Sequence, residues 1–455
     1  MTCSLPGRAA GKAITPFPLA PLIGGEGLER IALTGRGTID GNGKPWWQRQ
    51  WAANGGDTER PLLIRFVDCR DVLIDGIRCI NSPMWTISPL ACDNVTITRV
   101  TICNPANSPN TDGVNPDSCS NVRISDCHID VGDDCITIKS GKETDGRQKL
   151  RACENIAVTN CTLVHGHGGV VIGSEMSGNV RNVAISNCVF VGTDRGIRLK
   201  ARRGRGGVVE DIRASNLIMD GVTCPIAINL FYGCGAWSDT RVNEAGPMPV
   251  DETTPRFRRL NFSGISARNV RFAAAYLLGL PEMYVEDVTL RDVILRVDPN
   301  NTEAGDPDMS PLIRPMCRAG VVARHVRNLS MRDVQVIDAT GPSVRVQDCE
   351  DVVLYGIHSK PSDDSVEAPL VLRDVRGARV TNSCFPRDTA ASIVVDGRHT
   401  RQIRLDENDC PGGTRRIAIG DDVPDGEVID WAHQESATPR TRVSVSTAVA
   451  RAVGQ

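Results

Sequence analysis

The sequence is poor in aromatic residues and contains no long apolar run. Phe, Trp and Tyr together make up 4% of its 455 residues. No stretch of about 18 consecutive apolar residues is present, so the sequence offers no candidate membrane-spanning helix. An excess of one charge is also lacking, because the net charge is −3. We therefore expect neither a membrane nor a nucleic-acid partner, and an anionic ligand would need a local basic cluster.

The pattern of a long amphipathic helix is missing too, and short strand-like segments rich in Val, Ile and Thr take its place. A nine-residue phrase, in which a polar residue precedes alternating apolar positions, recurs from about Arg30. Its clearest copies start at Asn94, Asn121, Asn155, Asn182 and Asp287, and weaker copies start at Asp71, Asp211, Arg259, Asn328, Asp351, Gly377 and Gln402.

This spacing of about 25 residues predicts a β-solenoid, in which each coil buries its apolar positions against its neighbours. Parallel crossovers are overwhelmingly right-handed. The expected fold is therefore all-β, a single-stranded right-handed parallel β-helix. The alternative is an array of separate small β domains, but nothing between the copies resembles a linker.

The repeat divides the chain into three expected parts: an irregular segment over 1–29, the β-helix over 30–423, and a tail or cap over 424–455. Two long insertions, 233–258 and 298–315, are expected to rim a groove. The first residues lack the pattern of a signal peptide, so the chain as written is expected to be cytoplasmic. A truncated start would leave a secreted or periplasmic protein open. The sequence does not indicate an oligomeric state.

The 17 cysteines follow the repeat. One group lies two residues before copies of the phrase, and another lies six residues after: Cys69, Cys92, Cys119, Cys153 and Cys349, then Cys127, Cys161 and Cys188. Such columns predict ladders of small buried thiols. Disulfides between neighbouring coils are the alternative. Metal ligation by these cysteines is not expected, because no Cys-x-x-Cys pair occurs.

Polar side chains converge when the second strand phrases of four successive coils are aligned. Asp112 and Asp134 fall in one column, Asp133 lies beside them, and His167 occupies the Asp133 position on the next coil. Alternation also directs two basic side chains to the outer face of the following coil. The predicted cluster comprises Asp112, Asp133, Asp134, His167, Arg198 and Lys200.

Three clustered carboxylates are what glycoside hydrolysis requires. One carboxyl must donate a proton to the leaving oxygen while another activates water. Arg198 and Lys200 would offer cations to a substrate carboxylate. Taken singly, each acidic motif is more typical of a turn, and the basic run 198–205 is typical of a solvated face. Their shared register favours the catalytic interpretation. Asp117 and Lys139 are expected to pair with each other instead.

These residues resemble the polygalacturonases of glycoside hydrolase family 28. The family signatures Asn-Thr-Asp, Gly-Asp-Asp, Gly-His-Gly and Arg-Ile-Lys correspond to Asn110–Asp112, Gly132–Asp134, Gly166–Gly168 and Arg198–Lys200. Leu199 replaces the usual Ile at an inward-pointing position. Where the family has further N-terminal coils and a capping helix before Gly35, this sequence has only about thirty irregular residues.

The resemblance implies a pectin-lyase-like solenoid that hydrolyses α-1,4-galacturonan with inversion, without a metal or another cofactor. Asp133 would be the general acid, and Asp112 with Asp134 would activate water. His167 would maintain the protonation of the acid. The implied substrate-binding residues are Asn110, Arg198, Lys200 and Tyr232. The expected partner is therefore an acidic polysaccharide or oligosaccharide.

Two further motifs, Asn81–Trp85 and Gly173–Met176, resemble the bacterial, often exo-acting branch of the family. Three alternatives stay open. A rhamnogalacturonan hydrolase would use the same fold, although the basic pair suits galacturonate better. A pectate lyase would need Ca²⁺ and a basic residue that abstracts a proton. A non-catalytic solenoid would use the same carboxylates only in turns.

Overall fold

The computed structural model describes residues 19–53, 58–149, 151–362, 367–386, 391–410 and 415–430. Within these residues the chain forms many short strands and three short helices. The helices are α1 (Lys44–Ala52), α2 (Glu143–Lys149) and α3 (Thr240–Asn243). The strands are β1 (Ile23–Glu26), β2 (Glu29–Thr34), β3 (Thr38–Asp40), β4 (Ile64–Val67), β5 (Arg70–Asp75), β6 (Arg78–Ile80), β7 (Asp93–Thr98), β8 (Thr101–Cys103), β9 (Ser120–Ser125), β10 (His128–Val131), β11 (Ile136–Ile138), β12 (Cys153–Thr159), β13 (Thr162–His165), β14 (Val170–Gly173), β15 (Val180–Ser186), β16 (Val189–Val191), β17 (Arg195–Lys200), β18 (Val208–Asp220), β19 (Cys224–Asn229), β20 (Arg256–Val270), β21 (Ala273–Leu278), β22 (Val285–Val297), β23 (Ala319–Arg324), β24 (Val326–Ile337), β25 (Val344–Gln347), β26 (Glu350–Tyr355), β27 (His358–Lys360), β28 (Leu370–Arg373), β29 (Arg376–Thr381), β30 (Ala391–Asp396), β31 (Arg401–Asp406), β32 (Arg415–Ile419) and β33 (Val428–Asp430).

The strands pair in parallel from coil to coil, which confirms the predicted right-handed parallel β-helix. One sheet, here called the groove sheet, consists of β11, β14, β17, β19, β21, β23, β25, β28, β30 and β32. Isolated bridges extend its rows towards the N-terminus, joining Ile64, Ile87, Val114 and Ile136 in turn. A second, 21-stranded sheet forms the remaining faces. Every coil therefore contributes one outward-facing segment to the same surface.

Each predicted copy of the repeat starts at a residue in the left-handed backbone region. The φ angles of Asn94, Asn121, Asn155 and Asn182 are 53°, 58°, 58° and 57°. Asn tolerates this region better than most residues, which explains the polar start of the phrase. The side chains also form the predicted ladder, because Asn182 donates to Asn155 and Asn155 donates to Asn121, at 3.1 and 3.2 Å.

Inward-facing apolar side chains fill the space between the sheets and form one continuous core along the solenoid. The predicted cysteine columns belong to it: the eight cysteines that define them are all buried free thiols. Throughout the described residues the cysteines are free. The thiols therefore act as small apolar groups stacked along the solenoid, as the first of the two sequence interpretations expected.

Regular pairing extends beyond both boundaries that the sequence suggested. Strand β1, inside the segment expected to be irregular, pairs with β4, and β33, beyond residue 423, pairs with β31. The pattern did not reveal β1 because two of its four residues are glycines. Residues 1–18 and 431–455, which include most of the predicted tail, lie outside the described residues.

The basic side chains of the run 198–205 are buried, so the alternative that this run is only a solvated face is wrong. The guanidinium of Arg203 binds both carboxylate oxygens of Glu282, at 2.6 and 2.8 Å, and donates to the carbonyls of Arg241, Glu244 and Gly246. This run therefore fastens the 233–258 insertion beside the groove. Within the described residues, none of the helices has the length and apolar composition needed to cross a bilayer.

Candidate active site

The three predicted carboxylates meet on the groove side of the solenoid. Val114 and Ile136 are paired, which places Asp112 and Asp134 in one column on neighbouring coils. One oxygen from each of Asp112, Asp133 and Asp134 lies within 4.8 Å of the others. Gly168 keeps this space open, because a Cβ there would approach Asp134 Oδ1 to 3.3 Å.

Asp112 is buried, and its carboxylate accepts hydrogen bonds from two neighbouring side chains. Its Oδ2 accepts from Asn115 Nδ2 at 2.9 Å and from Thr137 Oγ1 at 3.4 Å, and the residue is 3% exposed. Burial, followed by the negative charge of Asp133, raises the pKa of Asp112 to about 8. Asp112 therefore carries a proton at neutral pH in the free protein.

Asp133 is the carboxylate that solvent reaches, with a side chain 19% exposed. His167 Nδ1 lies 3.5 Å from its Oδ1, and Asn110 Nδ2 donates to its Oδ2 at 3.3 Å. Burial acts to raise the pKa of Asp133, but the hydrogen bond and charge of His167 and the charge of Lys200 outweigh it, and the pKa lies well below its usual range. Asn110 thus orients Asp133, and Arg60 Nη2 in turn donates to the side-chain Oδ1 of Asn110 at 2.6 Å.

Both predicted basic residues contact Asp134. Lys200 Nζ lies 2.8 Å from Asp134 Oδ2, and Arg198 Nη1 lies 3.4 Å from Asp134 Oδ1. Two cations therefore lie against this one carboxylate. Arg198 and Lys200 are only 1% and 5% exposed, so they support Asp134 from within the wall of the groove. Sequence reasoning had directed both side chains outward, towards a substrate carboxylate.

Tyr232 covers this basic pair. The centroid of its ring lies 5.3 Å from Arg198 Cζ and 5.1 Å from Lys200 Nζ, and its hydroxyl contacts Met309 Sδ at 3.9 Å. The residue is 7% exposed. In the free protein Tyr232 therefore packs on the cations, and its predicted substrate contact would involve the edge of the ring.

Sequence reasoning missed Asp308, which belongs to the second long insertion. Its Oδ1 lies 2.6 Å from Arg198 Nε, and its side chain is fully buried. The repeat gives no register for an insertion, so no pattern in the sequence could have placed Asp308 against Arg198.

A second feature that sequence reasoning missed is the contact of Lys139 with Trp85, which lies one coil before Asp112. Lys139 Nζ lies 3.0 Å from Glu175 and 4.6 Å from the centroid of the Trp85 ring. The expected pairing of Lys139 with Asp117 is wrong. The Asp117 carboxylate instead accepts from Ser118 Oγ and from the backbone of the next turn, at 2.8 and 2.9 Å. Trp85 occupies the same column as Asp112, which the alignment of phrases could have shown.

The carboxylate trio is also the one group among the described residues with the ligand spacing of a metal site. Oxygen ligands of this kind suit a hard divalent cation. Lys200 and Arg198 already supply positive charge to Asp134, and Asp112 holds a proton, so the trio is partly neutralised without a metal. Activity assays in the presence of a chelator test whether a metal takes part.

The pH dependence should depend on His167. The hydrogen bond to Asp133 raises the pKa of His167 above its ordinary value of about 6.5, so the imidazolium persists to higher pH than that of a free histidine and is lost as the pH rises through the raised value. For the galacturonan hydrolysis that the resemblance implies, His167→Asn should lower kcat about 10- to 100-fold and shift the alkaline limb of the kcat–pH profile to lower pH. Initial rates over a pH series measure both.

His165 provides a matched control for that substitution. Its Nδ1 lies 2.7 Å from Asp130 on the outer surface of the solenoid, and its side chain is 54% exposed. His165→Asn removes a similar His–Asp pair away from the groove, and its profile should match that of the unmodified protein. Equal effects of the two substitutions would contradict the role given to His167.

Comparison with known proteins gives one family match and several relatives. The model of "Glycosyl hydrolases family 28" matches residues 10–303. A probable polygalacturonase of Vitis vinifera is 34% identical over 297 residues, covering 64% of this chain and 58% of that protein. An endo-polygalacturonase of Pectobacterium carotovorum subsp. carotovorum is 34% identical over 210 residues, covering 44% of this chain and 50% of that protein. The chain thus matches about half the length of these relatives.

Two solved structures are similar as well. A hyperthermoactive exopolygalacturonase from Thermotoga maritima superposes with a TM-score of 0.54 at 28% identity, covering 70% of this chain and 71% of that one. A polygalacturonase from Erwinia carotovora ssp. carotovora gives a TM-score of 0.52 at 25% identity, covering 62% and 71%. Relatives occur in plants and in bacteria, so the bacterial branch indicated by Asn81–Trp85 and Gly173–Met176 stays a prediction.

Proposed function

Because the chain belongs to glycosyl hydrolase family 28, we propose that it hydrolyses the α-1,4 bonds of galacturonan or of its oligosaccharides. The observation that carries this proposal is the trio Asp112, Asp133 and Asp134 within 4.8 Å, with Lys200 and Arg198 contacting Asp134. Acids in different electrostatic environments supply the donor and the acceptor that glycosidic cleavage needs.

The exposure of each carboxylate suggests its role. Asp133 faces the groove and would donate its proton to the glycosidic oxygen. Since His167 holds Asp133 ionised in the free protein, the proton must pass from the imidazolium to Asp133 as the substrate arrives and displaces water. Asp134 would accept the proton of the attacking water. The resemblance implied a shared role for Asp112, whose own proton instead suits it to hydrogen-bond that water.

The spacing of the trio allows one water between two carboxyl groups. Two O–H···O contacts of about 2.7 Å each span up to roughly 5.4 Å, which covers the observed separation. We propose direct displacement with inversion, as the family resemblance implies. Proton NMR of the first product decides: a β anomer supports inversion, and an α anomer contradicts it.

We further propose exo action, supported by the Asp306–Met309 segment. Arg195 donates to the carbonyls of Asp306 and Pro307 at 2.8 and 2.7 Å, and Asn229 donates to the carbonyl of Asp308 at 2.8 Å. The segment therefore covers the groove sheet next to Arg198. Release of monomer alone from the first minutes would support exo action, and an early mixture of oligomers would contradict it.

One assay tests the reaction class. Polygalacturonate is incubated with the protein in EDTA, and reducing ends and ultraviolet absorbance are followed together. Reducing ends without absorbance are expected. Absorbance that requires Ca²⁺ would identify a lyase, cleavage of rhamnogalacturonan alone would identify the other hydrolase, and no product from any of these polymers would favour a non-catalytic solenoid.

Trp85 is expected to support the sugar next to the cleaved bond. Coils are about 4.8 Å apart, close to the length of one sugar unit, and aromatic rings stack on the apolar faces of sugars. Trp85→Ala should raise KM for oligogalacturonates about 10-fold with little change in kcat. The exposed Trp51, at 48%, is the control, and Trp51→Ala should leave KM unchanged. A fall in kcat with unchanged KM would contradict the assignment.

A further inference from the structure

Arg198 is held by contacts on several sides. Its Nε donates to Asp308 Oδ1 at 2.6 Å, and its Nη1 faces Asp134 Oδ1 at 3.4 Å and the carbonyl of His167 at 3.5 Å. The ring of Tyr232 lies against the guanidinium. The contact with Asp308 is the shortest of these. It is also the one made to a carboxylate outside the trio.

The geometry of the pair is not the one that maximises its own hydrogen bonding. An Arg and a carboxylate commonly form two parallel hydrogen bonds. Here Arg198 Nη2 and Asp308 Oδ2 are both buried without a hydrogen-bond partner. The guanidinium is instead oriented so that Nη1 reaches Asp134. This orientation indicates that the position of Arg198 serves Asp134.

Asp308 stands on a segment that has further anchors besides the contacts of its own carboxylate with Arg198 and Arg195. The main chain of the segment is bound by Arg195 and Asn229, and the carboxylate of Asp306 accepts from the backbone N–H groups of Asp308 and Ser310, at 2.8 and 2.9 Å. Replacing the Asp308 side chain therefore leaves these anchors. Asp308 also lies beyond residues 10–303, the part of the chain that matches the family.

We propose that Asp308 is a positioning residue that holds the Arg198 guanidinium against Asp134. This inference rests on the proposed function, because Asp134 is the carboxylate assigned to accept the proton of water. A fixed guanidinium keeps its Nη1 next to Asp134 Oδ1 without solvent, whereas a free one would turn towards water or towards the substrate. Asp308 need not touch the substrate in this role.

Kinetics of two substitutions test the role. Asp308→Ala should lower kcat about 10- to 100-fold, as loss of a supporting carboxylate does elsewhere, with KM changed less than about threefold. Asp308→Asn, whose side-chain carbonyl still accepts from Arg198 Nε, should retain kcat within about fivefold of the unmodified protein.

A double mutant with Arg198 provides a stricter test. In an Arg198→Met background, Asp308→Ala should cause no further loss of kcat, since the group that it positions is absent. Independent, multiplicative losses would overturn the proposal. So would a kcat of Asp308→Ala equal to that of the unmodified protein.

Glu282 supplies the control for a loss of stability alone. It binds Arg203 at 2.6 Å, with both side chains about as buried as the Asp308 pair but away from the carboxylate trio. Glu282→Gln should lower Tm, as Asp308→Ala should, while kcat per folded molecule stays unchanged. If Glu282→Gln reproduces the fall in kcat, Asp308 has no special role.

A spectroscopic readout separates this inference from the proposed function. With ¹⁵N-labelled arginine, the Nε–H signal of Arg198, assigned by its loss in Arg198→Met, should lie downfield because of the short bond to Asp308. Asp308→Ala should move it upfield, and Glu282→Gln should not. An unmoved signal overturns the positioning role even if the protein cleaves galacturonan. A moved signal in a protein without activity leaves the contact established and rejects the proposed function.

Discussion

Asp133→Asn is expected to lower kcat on polygalacturonate by about 10²- to 10⁴-fold, the usual contribution of a general acid, with little change in KM. Asn has nearly the same shape and still accepts a hydrogen bond, but it has no proton to give to the leaving oxygen. The backbone N–H of Asp134, which donates to Asp133 Oδ1 at 2.8 Å, would donate to the carbonyl oxygen of Asn and keep the side chain in place.

Reducing-end assays with purified protein measure this loss, and thermal unfolding checks that the variant is folded. Asp130→Asn is the matched control, because Asp130 forms the equivalent pair with His165 outside the groove. Its kcat should equal that of the unmodified protein. Substrates with a good leaving group need less protonation, so an activated aryl galacturonide should restore much of the activity of Asp133→Asn. A loss of less than about threefold on the polymer would reject Asp133 as the acid.

Asp112→Asn is expected to abolish most of the activity and to stabilise the protein at neutral pH. The pKa of Asp112 is about 8 in the folded protein, against about 3.9 in an unfolded chain. The folded state then binds more protons than the unfolded state, so stability is fully present below about pH 4 and is lost as the pH rises towards 8. At pH 7 this cost amounts to as much as roughly 4 kcal/mol, at 1.36 kcal/mol per pKa unit.

Asn at position 112 removes that cost, and its carbonyl oxygen still accepts from Asn115 and Thr137. Urea denaturation should therefore show a larger gain in the free energy of unfolding at about pH 7.5 than at about pH 5. Asp93→Asn is a control of opposite sign, since the hydrogen bond from Ser120 lowers the pKa of Asp93 and its ionised form favours the folded state. A destabilised Asp112→Asn variant at neutral pH would contradict the assignment.

Much of the fold could be predicted from the sequence because the repeat expresses one physical rule at every coil. A residue that tolerates the left-handed region starts each phrase, and alternating apolar residues follow it. The column that joins Asp112 to Asp134 follows directly from this rule. So does the position of His167 beside Asp133, because neighbouring coils share one register.

The parts that could not be predicted belong to insertions and to electrostatics. Asp308 stands outside any register, and its contact with Arg198 depends on how the 298–315 insertion folds back. The burial of Arg198 and Lys200 was missed because alternation shows which side of a strand a residue faces but not what covers it. The proton on Asp112 arises from burial and from a neighbouring charge together, and neither is visible in a motif.

The interval of 110 residues between Arg198 and Asp308 has a consequence for synthesis of the chain. Coils add one after another, so a growing chain that has emerged as far as β22 already contains all four signatures and a stacked groove sheet. Its Arg198 can then contact Asp134 and Tyr232 but not Asp308, which arrives only with the next insertion. The order of translation thus separates the appearance of the three carboxylates from the arrival of Asp308.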